Sequence, residues 1–116
     1  MSDYIPYLIP IALILVLFMA KRAMMGTMIK GSEARKLVAD GGVLIDVRSK
    51  PEYAAGHVEG AKNIPLDQVA SRIKEFPKDK DIVVYCRSGA RSGQAKSILV
   101  GKGFEKVHNL GPMSAW

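Results

Sequence analysis

One cysteine and the residues behind it carry most of the chemistry this chain can offer: Cys86-Arg87-Ser88-Gly89-Ala90-Arg91-Ser92. The segment leaves an apolar run, crosses a short polar loop and enters a helical pattern. Such a loop can turn its N–H groups inward as a nest for negative charge. A helix N-terminus adds partial positive charge, and Arg87 and Arg91 add full charges. Each influence favours thiolate over thiol. A free cysteine is only about 3% thiolate at pH 7, and a fall of about two pKa units makes it mostly thiolate. Gly89 permits the tight backbone that a nest needs. A lone cysteine is more often a small buried hydrophobe. A core cysteine, however, would not be followed at once by Arg-Ser-Gly-Ala-Arg-Ser. The context marks Cys86 as a nucleophile.

The surrounding elements must place that loop. Residues 82–85 are apolar throughout, as a buried parallel strand would be. Residues 91–102 read as a helix stopped by Gly103. Upstream, a small strand is expected over 28–30, then a helix over 33–39 capped by Ser32 and stopped by Gly41-Gly42. A strand follows over 43–47. Ser49 with Glu52 forms a capping box around Pro51 and opens a brief helix ending at Gly56. A strand is possible over 62–64. Residues 67–76 predict a helix, with Leu66, Val69, Ile73 and Phe76 near one face. A last strand is expected over 106–110. Strand and helix in alternation imply an α/β fold, a small parallel sheet with helices on both faces. Ligands of such sheets sit beyond the strands' carboxyl ends, where Cys86 lies.

At 116 residues the chain has room for one domain. Residues 1–25 read as something else, which leaves 26–116 for the folded unit. The run over 4–20 holds no charge. Its seventeen residues make about 25 Å of helix against a bilayer core of about 30 Å. Ala23, Met24 and Met25 can extend it while Lys21 and Arg22 reach the headgroups. Tyr4 and Tyr7 suit an interfacial belt, and Pro10 sits where it would kink the helix. A cleaved signal peptide would want positive charge before the run, not after it. A core helix would not be apolar on every face in so small a domain. We therefore expect an uncleaved single-pass transmembrane anchor. Lys21, Arg22 and Lys30 would hold the domain on the cytoplasmic side.

The 17 basic and 11 acidic residues give a net charge of +6. The cations are dispersed among acids with no aromatic platform between them, which argues against nucleic acid. A small anionic substrate or an anionic membrane surface fits better. His57 and His108 are too far apart in sequence for a zinc site with Cys86, so no metal is expected.

The loop Cys86 to Ser92 resembles the active-site loop of rhodanese domains, C-R-S-G-x-R-S. Leu44-Ile45-Asp46-Val47-Arg48 with Glu52-Tyr53, then Gly56-His57-Val58-Glu59-Gly60-Ala61-Lys62-Asn63-Ile64-Pro65, is similar to the family's D-V-R…E-[FY]…G-H-I-x-G-A-x-N-I-P signature. Gly103-Phe104 and Leu110-Gly111 to Ala115-Trp116 resemble its closing motif, over a match of about residues 28–116. The family's second glycine is replaced by Pro112, and its usual final helix does not follow Trp116, which would leave Trp116 less well packed.

The resemblance implies a rhodanese-like fold and a sulfurtransferase without a cofactor. Cys86 would take the outer sulfur of a donor such as thiosulfate, carry it as a persulfide and hand it to cyanide, a thiol or a protein. Backbone N–H groups of Arg87, Ser88, Gly89, Ala90 and Arg91 would hold the persulfide and the donor's oxyanion. Arg87 and Arg91 would supply charge, with a structural ion pair the alternative for Arg91. Asp46 and Arg48 would brace the site. Ser88 and Ser92 would donate to the sulfur or cap the helix, and His57 would be structural rather than a base.

Rival readings differ in definite ways. Cysteine phosphatases of related fold place five residues between Cys and Arg, against four here, and the smaller cradle suits sulfur. A non-catalytic recruiting module would have no use for Cys86. A membrane-tethered persulfide relay with little turnover of its own shares every residue named above.

Overall fold

The structure, a computed structural model, describes residues 10–17 and 27–116. Four strands form one sheet in the order β2-β1-β3-β4, all parallel: β1 Val43–Asp46, β2 Lys62–Asn63, β3 Ile82–Cys86 and β4 Val107–Pro112. Every residue of β3 is buried, as its unbroken apolar sequence requires. Successive side chains of a strand face opposite ways, so β3 feeds two cores. Ile82, Val84 and Cys86 join Val69, Phe76, Ala95, Leu99 and Phe104 on one face. Val83 and Tyr85 join Ala34, Leu44, Ala61 and Leu110 on the other.

Helices cover both faces. α1 spans Gly31–Ala39, α2 Lys50–Ala55 and α3 Ala90–Gly101. The expected capping box opens α2: the Glu52 N–H donates to Ser49 Oγ at 3.4 Å, and the Ser49 N–H donates to Glu52 Oε1 at 3.1 Å. α3 starts and ends one residue earlier than expected and carries Ala95 and Leu99 into the core.

Three expectations are corrected. α1 begins at Gly31 with Lys30 at its N-cap and no side-chain cap, so Ser32 lies inside the helix. Residues 67–76 form no single helix but two 3-10 turns, Leu66–Gln68 and Ile73–Glu75. The Leu66 N–H is tied to the Val47 carbonyl at 3.1 Å, and Phe76 takes extended dihedrals before Pro77. Both ends are thus fixed from outside the segment, one by Val47 just past β1 and the other by Pro77, and a short segment with β-branched Val69 and Ile73 lacks the propensity to override them. Val69 and Phe76 are buried all the same. Residues 28–30 make only an isolated bridge, Met28 to Asn109, beside β4.

β4 extends two residues beyond expectation through a bulge. Val84 pairs with Asn109, but Tyr85 pairs with Gly111 and Cys86 with Pro112. The buried Asn109 side chain accepts the Gly111 N–H at 2.8 Å, and Gly111 takes the left-handed φ of +85°. Trp116 is partly buried against the second core, and its carbonyl accepts from Arg35.

Residues 10–17 are helical, with Ile11, Leu13, Ile14, Leu15, Val16 and Leu17 exposed. Among the described residues no helix is long and apolar enough to cross a membrane. The expected anchor over 1–25 lies mostly outside the described residues, which exclude 1–9 and 18–26.

Candidate active site

Cys86 is the last residue of β3 and is fully buried. The chain then bends sharply: Arg87 and Ser88 are exposed, while Gly89 adopts a left-handed φ of 101° and becomes the N-cap of α3. That conformation turns the Gly89 N–H back onto Cys86 Sγ, 2.9 Å away. A residue with a Cβ would adopt it only under strain.

Ser92 completes the pocket from the first turn of α3. Its buried Oγ lies 3.3 Å from Cys86 Sγ and 3.1 Å from the Gly89 carbonyl. The hydroxyl therefore has two acceptors in reach. It can donate to Gly89 while the sulfur is a thiol and to the sulfur once it is a thiolate. No side chain caps α3, and the Ser92 hydroxyl sits between the sulfur and the Gly89 carbonyl. Burial is the largest single influence on the Cys86 thiol and pushes its pKa up. The Ser92 hydroxyl and the amides of Ser92, Gly89 and Ser88 oppose it and together outweigh it, so the pKa falls below its ordinary value.

The two loop arginines differ. Arg91 is half-buried and makes a bidentate pair with Glu52, at 2.6 and 2.9 Å. Arg91, and then the backbone and hydroxyl of Ser49, hold the Glu52 carboxyl far below the usual carboxylate range. Glu52 thus serves twice, as the capping-box acid of α2 and as the seat of Arg91. Sequence reasoning gave it only the first role; its place in the E-[FY] motif was the available signal. Arg87 is exposed beside the sulfur-bearing strand end.

Behind the loop, Asp46 and Arg48 form a buried pair. Asp46 accepts the Arg48 N–H at 2.8 Å and the guanidinium at 2.7 to 3.1 Å, while Arg48 Nη2 also donates to the Gly56 carbonyl at 2.6 Å. The pair raises the Arg48 pKa still further, through its hydrogen bonds to Asp46 first. Asp46 stands in register with Tyr85, the residue before Cys86. Tyr85, pushed up by burial, accepts the Val58 N–H at 3.2 Å and lies under Arg48, with 5.9 Å between guanidinium and ring. Asn63, which sequence reasoning missed, donates to the carbonyls of both Asp46 and Arg48, at 2.9 and 3.0 Å. His57 stacks on Tyr53 and hydrogen-bonds its carbonyl at 2.9 Å, consistent with a packing role.

A cavity of about 330 Å3 opens beside the loop, lined by Val47, Ser49, Pro65, Leu66, Asp67 and Arg91. Among the described residues no group of three or more His, Cys, Asp or Glu could hold a metal ion. The arrangement is therefore a buried cysteine at a strand end, surrounded by donors that favour its ionised form, with an exposed cation next to it. That is equipment for nucleophilic attack on an anionic, electrophilic atom.

Comparison with known proteins agrees. The model of the rhodanese-like domain matches residues 31–116. A sulfurtransferase of Allochromatium vinosum is 44% identical over 75 residues, covering 64% of this chain and 70% of that protein. Thiosulfate sulfurtransferase PspE of Escherichia coli is 48% identical over 69 residues, covering 58% and 66%. A solved structure described as rhodanese with anions from E. coli superposes with a TM-score of 0.62 at 41% identity, covering 66% of this chain and 92% of that one.

Proposed function

The chain belongs to the rhodanese-like domain family, and on that premise we propose that it moves a sulfane sulfur from thiosulfate, or a similar small anion, through a persulfide on Cys86 to a thiophilic acceptor. The enzyme class is that of a sulfurtransferase. The carrier atom, donor and acceptor are our reading. The observation that supports it best is the Gly89 N–H aimed at the buried Cys86 Sγ from 2.9 Å.

In the first half-reaction the thiolate attacks the outer sulfur of thiosulfate. The donor's S–S bond breaks, its electron pair leaves with sulfite, and Cys86 keeps the outer sulfur as a persulfide anion. The Gly89 amide and the Ser92 hydroxyl can follow the charge as it moves outward by one sulfur. Cyanide or a thiolate then attacks that outer sulfur and departs as thiocyanate or a new persulfide, which restores the Cys86 thiolate. Mass spectrometry of the full chain after thiosulfate treatment should find one added sulfur on the peptide holding Cys86, removed by cyanide. An unmodified peptide would refute the proposal.

The exposed charge of Arg87, which pairs with no acid among the described residues, is assigned to the donor, because Arg91 is already matched by Glu52. Arg87→Ala should raise KM for thiosulfate roughly tenfold, about 1.5 kcal/mol, with the fold unchanged. The estimate sits at the low end for a charged contact because Arg87 is exposed to screening solvent. Unchanged kinetics would assign donor binding to the backbone alone.

The proposal also places residues 1–25 as a single-pass anchor, with the domain of residues 26–116 in the cytoplasm. Its support is the uncharged run over 4–20 and the cations Lys21, Arg22 and Lys30 that follow. The chain should sediment with membranes and resist alkaline extraction, and protease added to intact spheroplasts should leave the domain whole. Release by alkali, or digestion from outside, would remove this part of the proposal and leave the chemistry standing.

A further inference from the structure

Met28 lies outside residues 31–116, the span shared with the family, yet its side chain sits on the active-site loop. Its main chain is held beside β4: Met28 bridges to Asn109, and the Ile29 N–H donates to the Asn109 carbonyl at 2.9 Å. A methyl group added at Gly89 would lie 3.1 Å from Met28 Cε and 3.7 Å from Sδ. One added at Gly111 would collide with Sδ and lie 3.4 Å from Cγ. The thioether therefore fills the notch between these two glycines.

Both glycines take left-handed φ angles, 101° and 85°, and glycine has no side chain to hold its backbone in place. Gly89 carries the N–H that donates to Cys86 Sγ. A long, unbranched thioether suits so irregular a gap. Met28 itself remains 52% exposed, so the contact adds little to the core.

We propose that Met28 is a positioning residue, which presses from the segment before α1 on Gly89 and Gly111 and so fixes the amide that holds the Cys86 sulfur. It acts through Gly89 and touches no reacting atom. The idea deepens the sulfur-transfer reading, but its first test does not depend on that reading. The charged groups around the site are Arg87, exposed in the loop next to Cys86, Arg91 with Glu52, and Asp46 at the end of β1 with Arg48 just beyond it. None lies in the segment before α1, so a shift on trimming Met28 reports backbone alignment rather than a lost charge.

The test is the rate of Cys86 alkylation by iodoacetamide against pH in the full chain, which has no other cysteine. In Met28→Ala the midpoint should rise by about half a pH unit, which slows alkylation about threefold below the midpoint. Persulfide formation from thiosulfate should slow by a similar factor. Met28→Leu, which refills the notch, should recover most of both losses. A profile for Met28→Ala that overlays wild type would overturn the inference. So would equal shifts in the alanine and leucine variants, because filling the notch would then be irrelevant. If wild type forms no persulfide at all, the sulfur-transfer reading fails while the alkylation profiles still judge Met28.

Discussion

Cys86→Ser should fold like wild type, form no persulfide from thiosulfate and produce no thiocyanate. Serine keeps the size and nearly the shape of cysteine, so β3 and the nest around its last residue lose little. Its hydroxyl titrates far above neutrality and is a poor nucleophile without a base. Among the described residues no base is hydrogen-bonded to the sulfur: its side-chain partner, Ser92 Oγ at 3.3 Å, is a neutral hydroxyl that donates to the Gly89 carbonyl. Since Cys86 is the only cysteine, no second thiol can take over. Turnover should fall to the uncatalysed background, a loss larger than any single contact around the site could produce. Sulfur transfer that persists in Cys86→Ser would refute the mechanism outright. Neither protein should hydrolyse an aryl phosphate. Only four residues separate Cys86 from Arg91, and Arg91 is committed to Glu52. Robust phosphatase activity in wild type would require that pair to open and would move the assignment to phosphoryl transfer.

How legible these features were depended on the range of the interactions that build them. The capping box of Ser49 and Glu52, the buried strand ending at Cys86 and the stop at Gly103 are written within a few residues, and the structure keeps them. The nest at Gly89 was legible for the same reason, because a strand, a glycine and a helix start in immediate succession leave few ways to turn. The segment over 67–76 misled because its apolar spacing suits one face of a helix. Two 3-10 turns bury Val69 and Phe76 as well, and the ties to Val47 and Pro77 decide between them. The partner of Arg91 was left open because Glu52 stands 39 residues away, and no local pattern in either helix tells that the fold brings the two side chains together. Met28 was hidden more deeply. Its site is a notch between Gly89 and Gly111, and the bulge that places Gly111 there cannot be read from strand periodicity.

Asp46→Ala should destabilise the domain by about 3–5 kcal/mol, the usual cost of removing one partner from a buried ion pair. Asp46 is fully buried and Arg48 is 6% exposed, so the arginine left behind would keep its charge away from water. The Gly56 carbonyl would still accept from its guanidinium, and Tyr85 would still lie beside it. Against a total stability of roughly 5–15 kcal/mol, this loss brings a small domain close to unfolding. The site should suffer first, because Asp46 is paired in register with Tyr85, and Tyr85 precedes Cys86. Removing both charges should be gentler than removing one. Asp46→Ala with Arg48→Met takes away the stranded charge and keeps an apolar chain over the Tyr85 ring, so the double variant should regain much of the loss. Urea unfolding can follow all three variants through Trp116, the chain's single tryptophan, which packs against the same core as Tyr85. A loss below about 1 kcal/mol for Asp46→Ala would show that water reaches Arg48 and that the pair is not buried in solution. A double variant no more stable than Asp46→Ala would show instead that the arginine's bond to Gly56, rather than its charge balance, holds the loop behind the site.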